Sequence, residues 1–321
     1  NWRGDKRSHL FLLDVATGNF TDLIEGNKED VSPPALGSSN DYNFSPDGNE
    51  VAYALNPEFT KATSTNIEIY LASLTSPQTA KIISTSKGVD CQPVYSPDGK
   101  WITWTSMKRA GFESDEKDLI MFNRNSGEMI NLTENFDLSV DEFIYSPDSK
   151  TIYFTAGTEI NNLIYKLDID NEEIELFHRN NYNTNIQLSK DGKTLYFLKQ
   201  RTDLPSEIFS QSTDGKNTLK RITFTNEEIL SQLEMNPVET FCCEGANGDK
   251  VQSILIKPPF FDPNKKYPMM FLIHGGPQGA WEDNFHYRWN LQMFAAAGYV
   301  VVAPNPRGST GYGQKFTDEI S

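Results

Sequence analysis

The sequence predicts a mixed fold, in which a partial β-propeller with about five visible blades precedes the first part of an α/β domain. Two observations lead to this prediction. A turn motif recurs at nearly constant spacing through the first two thirds of the chain, and continuous apolar segments replace it after Pro237. We therefore predict two domains, a propeller over residues 1–236 and the start of the α/β domain over residues 237–321.

Four copies of one turn-and-strand unit predict the propeller. In each copy an aromatic residue or Leu precedes a turn of the S-P-D-G type, and an alternating strand follows it. Pro sets φ for such a turn, Asp bonds its own backbone, and Gly takes the positive φ that closes it. The serines of the four turns, spaced 51, 50 and 43 residues apart, are Ser45, Ser96, Ser146 and Ser189. Stacked four-stranded units of about 40 to 50 residues are typical of propeller blades. A flat β-sandwich would explain the strands but not the recurring turn.

The first segment of the chain predicts a truncated propeller. A strand-turn-strand near His9, "HLFLLDVATGNFTDLIEG", has no turn motif before it, and the chain begins with neither Met nor a signal peptide. We therefore expect the chain to open halfway through a blade, with further blades upstream.

The segments after Pro237 predict a different sheet. "KVQSILIKP" reads as an antiparallel strand after the hairpin signal Gly248-Asp249, whereas "YPMMFLIHGG" and "YVVVAPNPRG" are continuous apolar runs typical of buried parallel strands. Between them "NLQMFAAAGY" predicts a helix with Asn290 as its N-cap and Gly298 at its end. Strand, helix and strand form a βαβ unit.

The turn "HGGP", residues 274–277, lies at the carboxyl end of the first parallel strand, where α/β sheets bind ligands. Two glycines allow backbone N–H groups to approach a substrate oxygen closely. In α/β hydrolases one oxyanion-hole donor comes from the loop after the third strand. The turn, with the strand before it and the βαβ unit around it, favours an α/β-hydrolase domain over a tight turn without function.

A hydrolase nucleophile is not recognisable in the chain. No G-x-S-x-G occurs, and the nearest imitation, Arg307-Gly308-Ser309-Thr310-Gly311, has Arg where the first Gly belongs. Ser309 is therefore predicted to be a loop serine. His274 has no acidic partner nearby in the sequence that would identify it as a base, although it could orient a substrate.

The composition excludes several other classes of protein. A net charge of −15 argues against a nucleic-acid partner, and no stretch approaches the roughly twenty apolar residues that cross a bilayer. The cysteines are Cys91, Cys242 and Cys243, without a C-x-x-C or H-E-x-x-H motif. We predict neither a disulfide framework nor a metal site, and no cofactor.

The segment "KYPMMFLIHGGPQGAWEDNFHYRWNLQMFAAAGYVVVAPNPRGSTGYGQKFTDEIS" resembles the entry to the peptidase domain of the prolyl oligopeptidase family of serine peptidases. "HGGPQGAW", "YRWN" and "RGSTGYGQKF" carry the match, which is most similar to the dipeptidyl-peptidase 5 branch near the acylaminoacyl peptidases. "GDKRSHLFLLD", "TSTNIEIYLAS" and "SMKRAGFESDE" resemble propeller segments of the same branch.

This resemblance implies a propeller that caps an α/β hydrolase and an enzyme that removes dipeptides from the free N-terminus of short peptides. It assigns the oxyanion turn to Gly275 and Gly276, and it places the Ser, Asp and His of the triad beyond Ser321. A polypeptide that ends at Ser321 is accordingly expected to be inactive, and to be a fragment of a larger enzyme.

An enzyme of this kind must also hold the substrate's ammonium group, for which a carboxylate is suited. Glu113, in the loop "KRAGFESDEKD", is the candidate from the resembling segment, and a solvated charged loop is the alternative; His274 is a second candidate to contact substrate.

The alternatives for function are an acylaminoacyl peptidase and a non-catalytic propeller scaffold. A periplasmic or secreted location is expected, otherwise a cytoplasmic one, and the oligomeric state stays open.

Overall fold

The computed structural model describes residues 6–33, 36–38, 40–59, 63–216, 218–276 and 278–320. Pro277 of the predicted turn lies outside the described residues. Contacts between residues divide the chain into two compact units, Asn1–Phe136 and Asp137–Ser321. The change of domain after residue 236 falls inside the second unit and stays a prediction.

The first unit consists of antiparallel meanders. A two-stranded sheet comes first, and two four-stranded sheets follow it in the described residues. Their strands are β1 Phe11–Leu13 and β2 Phe20–Asp22; β3 Tyr42–Phe44, β4 Glu50–Leu55, β5 Glu68–Ser73 and β6 Ser76–Ile82; and β7 Asp90–Tyr95, β8 Trp101–Met107, β9 Lys117–Asn123 and β10 Met129–Asn131.

The second unit begins with two further meanders of four strands. They are joined by a single parallel pair, Asn162 with Tyr182. Their strands are β11 Val140–Tyr145, β12 Thr151–Thr158, β13 Asn161–Asp168 and β14 Glu173–His178; and β15 Tyr182–Leu188, β16 Thr194–Arg201, β17 Leu204–Ser212 and β18 Lys220–Arg221. The short helix α1, Glu227–Leu230, follows them. Five antiparallel units thus precede residue 231 in the described chain, which confirms the prediction of a partial propeller with a two-stranded first blade.

The recurring turns close each blade in the predicted way. The hydroxyl of Ser45, Ser96, Ser146 or Ser189 donates to the Asp two residues later, over 2.6, 2.7, 2.6 and 2.7 Å respectively. The same oxygen accepts from the backbone N–H five residues on. The third copy has Ser149 in place of Gly, and Ser149 adopts the left-handed φ of +62° that the turn requires.

A mixed sheet follows in the second unit. Its strands are β19 Glu239–Glu244, β20 Lys250–Ile256, β21 Met269–Phe271 and β22 Val300–Asn305, in the order β19-β20-β22-β21. A 3₁₀ turn, Ala246–Gly248, joins the first two strands; helix α2, Leu291–Ala296, joins the last two; and α3, Gln314–Asp318, comes last. Strands β21 and β22 are parallel, which confirms the predicted βαβ unit.

The helix of this βαβ unit begins and ends as its sequence predicts. The Asn290 side chain accepts a hydrogen bond of 2.8 Å from the N–H of Gln292, and Gly298 has a φ of +92° just beyond the last turn. One face of the helix, with Leu291 and Ala295, is buried against Val301 and Ile254 of the sheet. Met270 of β21 and Leu272, just after it, pack against the same cluster.

Candidate active site

The H-G-G turn, His274–Gly276, lies at the carboxyl end of β21. The strand is held to β22 in parallel register, and the N–H of Leu272 donates to Val302 O over 2.9 Å. Gly275 and Gly276 are both exposed, and Gly276 has a φ of +135°. The turn therefore presents its backbone at the sheet edge where α/β folds place ligands.

The backbone N–H groups of Gly275 and Gly276 donate no hydrogen bond within the part of the chain that the structure describes. Gly276 could not be another residue in this conformation, since a Cβ there would lie 2.6 Å from the nitrogen of Gln278. Exposed, uncommitted N–H groups on a tightly shaped turn are the donors that stabilise a developing oxyanion.

His274 contacts the backbone of its own turn and one distant side chain. Its Nδ1 lies 2.8 Å from Gly275 O, and its Nε2 lies 3.0 Å from the hydroxyl of Ser309. Ser309 is fully buried in the loop between β22 and α3, and its Oγ donates to Pro306 O over 2.6 Å. Its predicted place in a loop is thus observed, and its hydroxyl faces His274.

The segment after the turn is clamped to the sheet by Asn305, which is fully buried. Its Oδ1 accepts from the N–H of Trp281 over 2.7 Å, and its Nδ2 donates to Trp281 O and to the hydroxyl of Tyr312, each over 2.9 Å. The Tyr312 hydroxyl in turn donates to Gln252 Oε1 over 2.7 Å. The clamp holds the backbone of Trp281 against β22.

A second anchor is Asp283, only 7% exposed. Its Oδ1 accepts from the N–H of Thr202 over 2.9 Å and from the Thr202 hydroxyl over 3.3 Å, and its Oδ2 accepts from Asn181 Nδ2 over 2.9 Å. The Asp283 N–H donates to Ile160 O over 2.7 Å. The segment that follows the turn is therefore attached to the last two meanders.

In addition to burial, the charge of Asp141 raises the pKa of both Glu142 and Glu282, and we call these three carboxylates the acidic group. Burial, followed by the charge of Asp141, raises the pKa of Glu282 to about 8. Burial also raises the pKa of Glu142 to about 7. Burial and the charges of all three carboxylates raise the pKa of the Tyr182 hydroxyl. Both glutamates are thus in an environment that disfavours negative charge in the absence of a cation.

The predicted ammonium ligand Glu113 lies in the first unit and is exposed. In the same loop Asp115 is buried and accepts from the N–H groups of Lys108 and Arg109 over 2.8 and 2.7 Å. Asp115 thereby closes the loop, whereas the role of Glu113 stays a prediction.

Within the described ranges, no group of three or more His, Cys, Asp or Glu side chains has the arrangement of a metal site.

Two protein-family models match different parts of the chain. Residues 43–231 match the TolB beta propeller domain, and residues 285–321 match the prolyl oligopeptidase family. The chain belongs to the prolyl oligopeptidase family, with a propeller of the TolB type. The resemblance found in the R-G-S-T-G-Y-G segment is thereby confirmed.

Curated relatives cover almost the whole chain. It is 32% identical to dipeptidyl-peptidase 5 of Porphyromonas gingivalis, with 98% of this chain and 46% of the relative aligned. It is 34% identical to a probable dipeptidyl-peptidase 5 of Arthroderma benhamiae, over 95% of this chain and 44% of the relative. The chain thus spans somewhat less than half the length of these relatives.

Solved structures of the same family share the fold. An acylaminoacyl peptidase of Pyrococcus horikoshii matches with a TM-score of 0.73 at 20% identity, over 95% of this chain and 44% of that one. Dipeptidyl peptidase 4 of Porphyromonas gingivalis matches with a TM-score of 0.68 at 17% identity, over 96% and 43%. At identities of 17–20% these matches show that the fold is shared, in the propeller and in the hydrolase sheet.

Two features near the turn were not anticipated from the sequence. The acidic group joins residues far apart in the chain, and Asp283 bonds residues 81 and 102 positions earlier. Their one sequence signal is the pair Glu282-Asp283, directly after the motif H-G-G-P-Q-G-A-W.

Among the helices of the described residues, none combines the length and the apolar composition that a membrane crossing requires.

Proposed function

We propose that this chain supplies the propeller and the oxyanion turn of a serine exopeptidase that releases N-terminal dipeptides from short peptides. The observation that carries the proposal is the pair of exposed N–H groups of Gly275 and Gly276, uncommitted in the described chain, at the end of β21. Identities of 32% and 34% to proteins named dipeptidyl-peptidase 5 support this choice over an acylaminoacyl peptidase.

The proposed chemistry is acyl transfer to a serine followed by hydrolysis. The N–H groups of the turn would stabilise the negative charge that develops on the scissile carbonyl oxygen. Because residues 1–321 contain no G-x-S-x-G, we place the nucleophile, the acid and the base in another part of the whole protein.

The acidic group is the better-supported site for the substrate's ammonium group. It lies in the same compact unit as the H-G-G turn, and Glu282 is six residues from Gly276. Glu142 Oε1 is buried without a hydrogen-bond partner in the described structure. A bound cation would relieve the repulsion and the desolvation that raise the pKa values of Glu142 and Glu282.

The experiment that tests this function compares fluorogenic dipeptidyl amides with free and with acetylated N-termini. The whole protein, with its natural sequence on both sides of residues 1–321, should release the dye from the free dipeptides and far less from the acetylated ones. The opposite preference would support an acylaminoacyl peptidase. A whole protein that is folded and cleaves neither class would support the non-catalytic scaffold.

Removing the charge of Glu282 should specifically weaken the binding of free N-termini. For Glu282→Gln we expect KM to rise about tenfold or more while kcat changes little, because one charged hydrogen bond is worth roughly 1.5–3 kcal/mol. In the wild type, attraction requires the carboxylate, so kcat/KM should rise as the pH increases toward 8, the region in which Glu282 ionises. Above about pH 8 the substrate amine loses its own charge, and kcat/KM should fall again.

Two further variants make this prediction decisive. Glu228→Gln changes an exposed carboxylate of α1 and should leave the kinetics unaltered. Glu113→Gln tests the other candidate. If Glu113→Gln raises KM and Glu282→Gln does not, the ammonium site lies at Glu113 and the acidic group has another role.

We also propose a periplasmic or secreted location, on the basis of the acidic composition and the relationship to a bacterial dipeptidyl-peptidase 5. Fractionation of cells that express the whole gene tests this. Recovery of the protein with cytoplasmic markers alone would contradict it.

A further inference from the structure

We propose that a cavity in the first unit binds a small primary ammonium compound with a short apolar arm, and that the carboxylate of Asp90 receives the ammonium group. The cavity has a volume of about 540 Å³ and lies over one face of the sheet β7–β10. Residues 85–87, in the connection that leads into β7, form a further wall. This inference does not depend on the proposed peptidase function.

The register of the sheet brings polar and apolar side chains together on the face that lines the cavity. Trp104 of β8 lies opposite Ile120 of β9, and Ile120 lies opposite Asn131 of β10. Two residues further along β8, Ser106 lies opposite Asp90 of β7. Paired residues, and residues two apart on one strand, point to the same side of a sheet, and all five line the cavity. Asp90 is therefore close to an apolar wall.

Asp90 supplies a hydrogen-bond acceptor that the described structure leaves unused. The residue is 1% exposed, and its Oδ1 accepts from the indole N–H of Trp104 over 2.9 Å. Its Oδ2 is buried and has no hydrogen-bond partner among the described residues. The backbone N–H of Asp90 donates to Ile67 O over 3.0 Å, which holds the residue at the start of β7. A ligand that donates to this carboxylate would offset the cost of burying it.

The charges around the cavity favour a cation. Lys87 Nζ lies 3.4 Å from Glu68, and Lys108 Nζ lies 2.9 Å from Asp118, so both lysines that line the cavity already pair with a buried carboxylate. With Asp90 this group holds three negative and two positive charges. Burial raises the pKa of Asp90 to about 7, and the charge of Glu68 adds to the rise. One further cation would balance the group and stabilise the ionised form of Asp90.

The lining of the cavity indicates the class of ligand. A primary ammonium group has three N–H donors, enough for the Asp90 carboxylate and the Ser106 hydroxyl, whereas a quaternary ammonium group has none. An apolar arm would pack on Trp104, Ile120 and Met129, the last of which is 38% exposed. The volume lies within the roughly 300–1,000 Å³ that is typical of small-molecule sites.

The binding test uses n-pentylamine, an amine with a pKa close to that of lysine, about 10.4. In the ¹⁵N-tryptophan-labelled whole protein, with Trp104 assigned by its loss in Trp104→Phe, pentylamine should shift the indole N–H resonance of Trp104 and saturate. Its affinity should rise from pH 6 to pH 8, because Asp90 ionises in this range while the amine stays charged. The neutral n-pentanol and the anion pentanoate should bind at least about tenfold more weakly. Equal binding of pentanol, or tighter binding of pentanoate, would overturn the proposal.

Asp90→Asn is the decisive variant. Its amide oxygen can still accept from the Trp104 indole, and the variant buries no charge, so the fold should be retained while the affinity for pentylamine falls at least about tenfold. Glu25→Gln changes an exposed carboxylate of the same unit and should leave the affinity unaltered. Unchanged affinity in Asp90→Asn would contradict the assignment of the ammonium group to this carboxylate.

Kinetics separate this cavity from the site proposed for the substrate's ammonium group. Glu282→Gln should leave the response of Trp104 to pentylamine unchanged, and Asp90→Asn should leave the KM for dipeptidyl amides unchanged. If Asp90→Asn raises that KM as predicted for Glu282→Gln, Asp90 serves the substrate's own N-terminus and the proposal of a separate site fails. If the whole protein cleaves no dipeptidyl amide but Trp104 responds to pentylamine as expected, the proposed function fails and the amine site stands.

Discussion

The Gly276→Ala substitution is expected to lower kcat for dipeptidyl amides by about 10²–10³-fold, the cost of losing an oxyanion donor. At φ of +135° an alanine is strained in any surroundings, and here its Cβ would lie 2.6 Å from Gln278 N and 3.0 Å from the carbonyl carbon of that residue. Both atoms are backbone, so the turn itself must change shape to accommodate the methyl group. The N–H of Gly276 would then leave the position in which it meets the substrate oxygen.

The measurement is steady-state kinetics of the whole protein, with thermal unfolding as a check on the fold. Gly276 is exposed and outside the core, so we expect the melting temperature to change little. Gly157→Ala is the matched control, since a Cβ at Gly157 meets no atom within 4 Å and its φ is unstrained. If Gly276→Ala retained kcat within about threefold, the turn could not be supplying the oxyanion donor.

The parts of the fold that local chemistry determines were predictable. Each blade turn needs only a serine, an aspartate two residues later and one residue with positive φ, all within six residues of sequence. The βαβ unit was likewise visible, because two apolar runs and the cap at Asn290 are local signals. The position of Gly275 and Gly276 at the end of β21 followed directly from these elements.

The side-chain contacts around the turn could not be predicted from the sequence, because they join residues that are far apart in the chain and meet only in the folded structure. Ser309 was interpreted correctly as a loop residue, yet nothing in its sequence indicates that its hydroxyl meets His274. The acidic group illustrates the same limit, since Asp141 and Glu282 are separated by more than a hundred residues. In the sequence, a single Glu in a charged loop, such as Glu113, is easier to recognise as a candidate than carboxylates that only folding brings together.

The Asp283→Ala substitution is expected to destabilise the second unit by about 3 kcal/mol, because it strands buried donors rather than removing a contact at the surface. The N–H of Thr202 and the amide of Asn181 both donate to this carboxylate, which is 7% exposed. Neither donor has another acceptor among the described residues, and Thr202 is buried away from water. The loss should appear as a lower midpoint of urea unfolding.

Asp283→Asn distinguishes the hydrogen bond from Thr202 from the hydrogen bond from Asn181. Its remaining oxygen can accept from Thr202, while its new amide faces the donating amide of Asn181, so the loss should be smaller than for alanine. Asp170→Ala changes an exposed turn residue and should shift stability by less than about 0.5 kcal/mol.

Hydrogen exchange at Trp281 to Phe285 should accelerate in Asp283→Ala if this carboxylate is the anchor of the segment. Unchanged exchange there, with a lowered midpoint, would show that Asp283 stabilises the meanders and not the segment that carries the turn. Because Asp283 and Gly276 are seven residues apart on one clamped segment, a loosened anchor should also lower kcat, whereas Asp170→Ala should not.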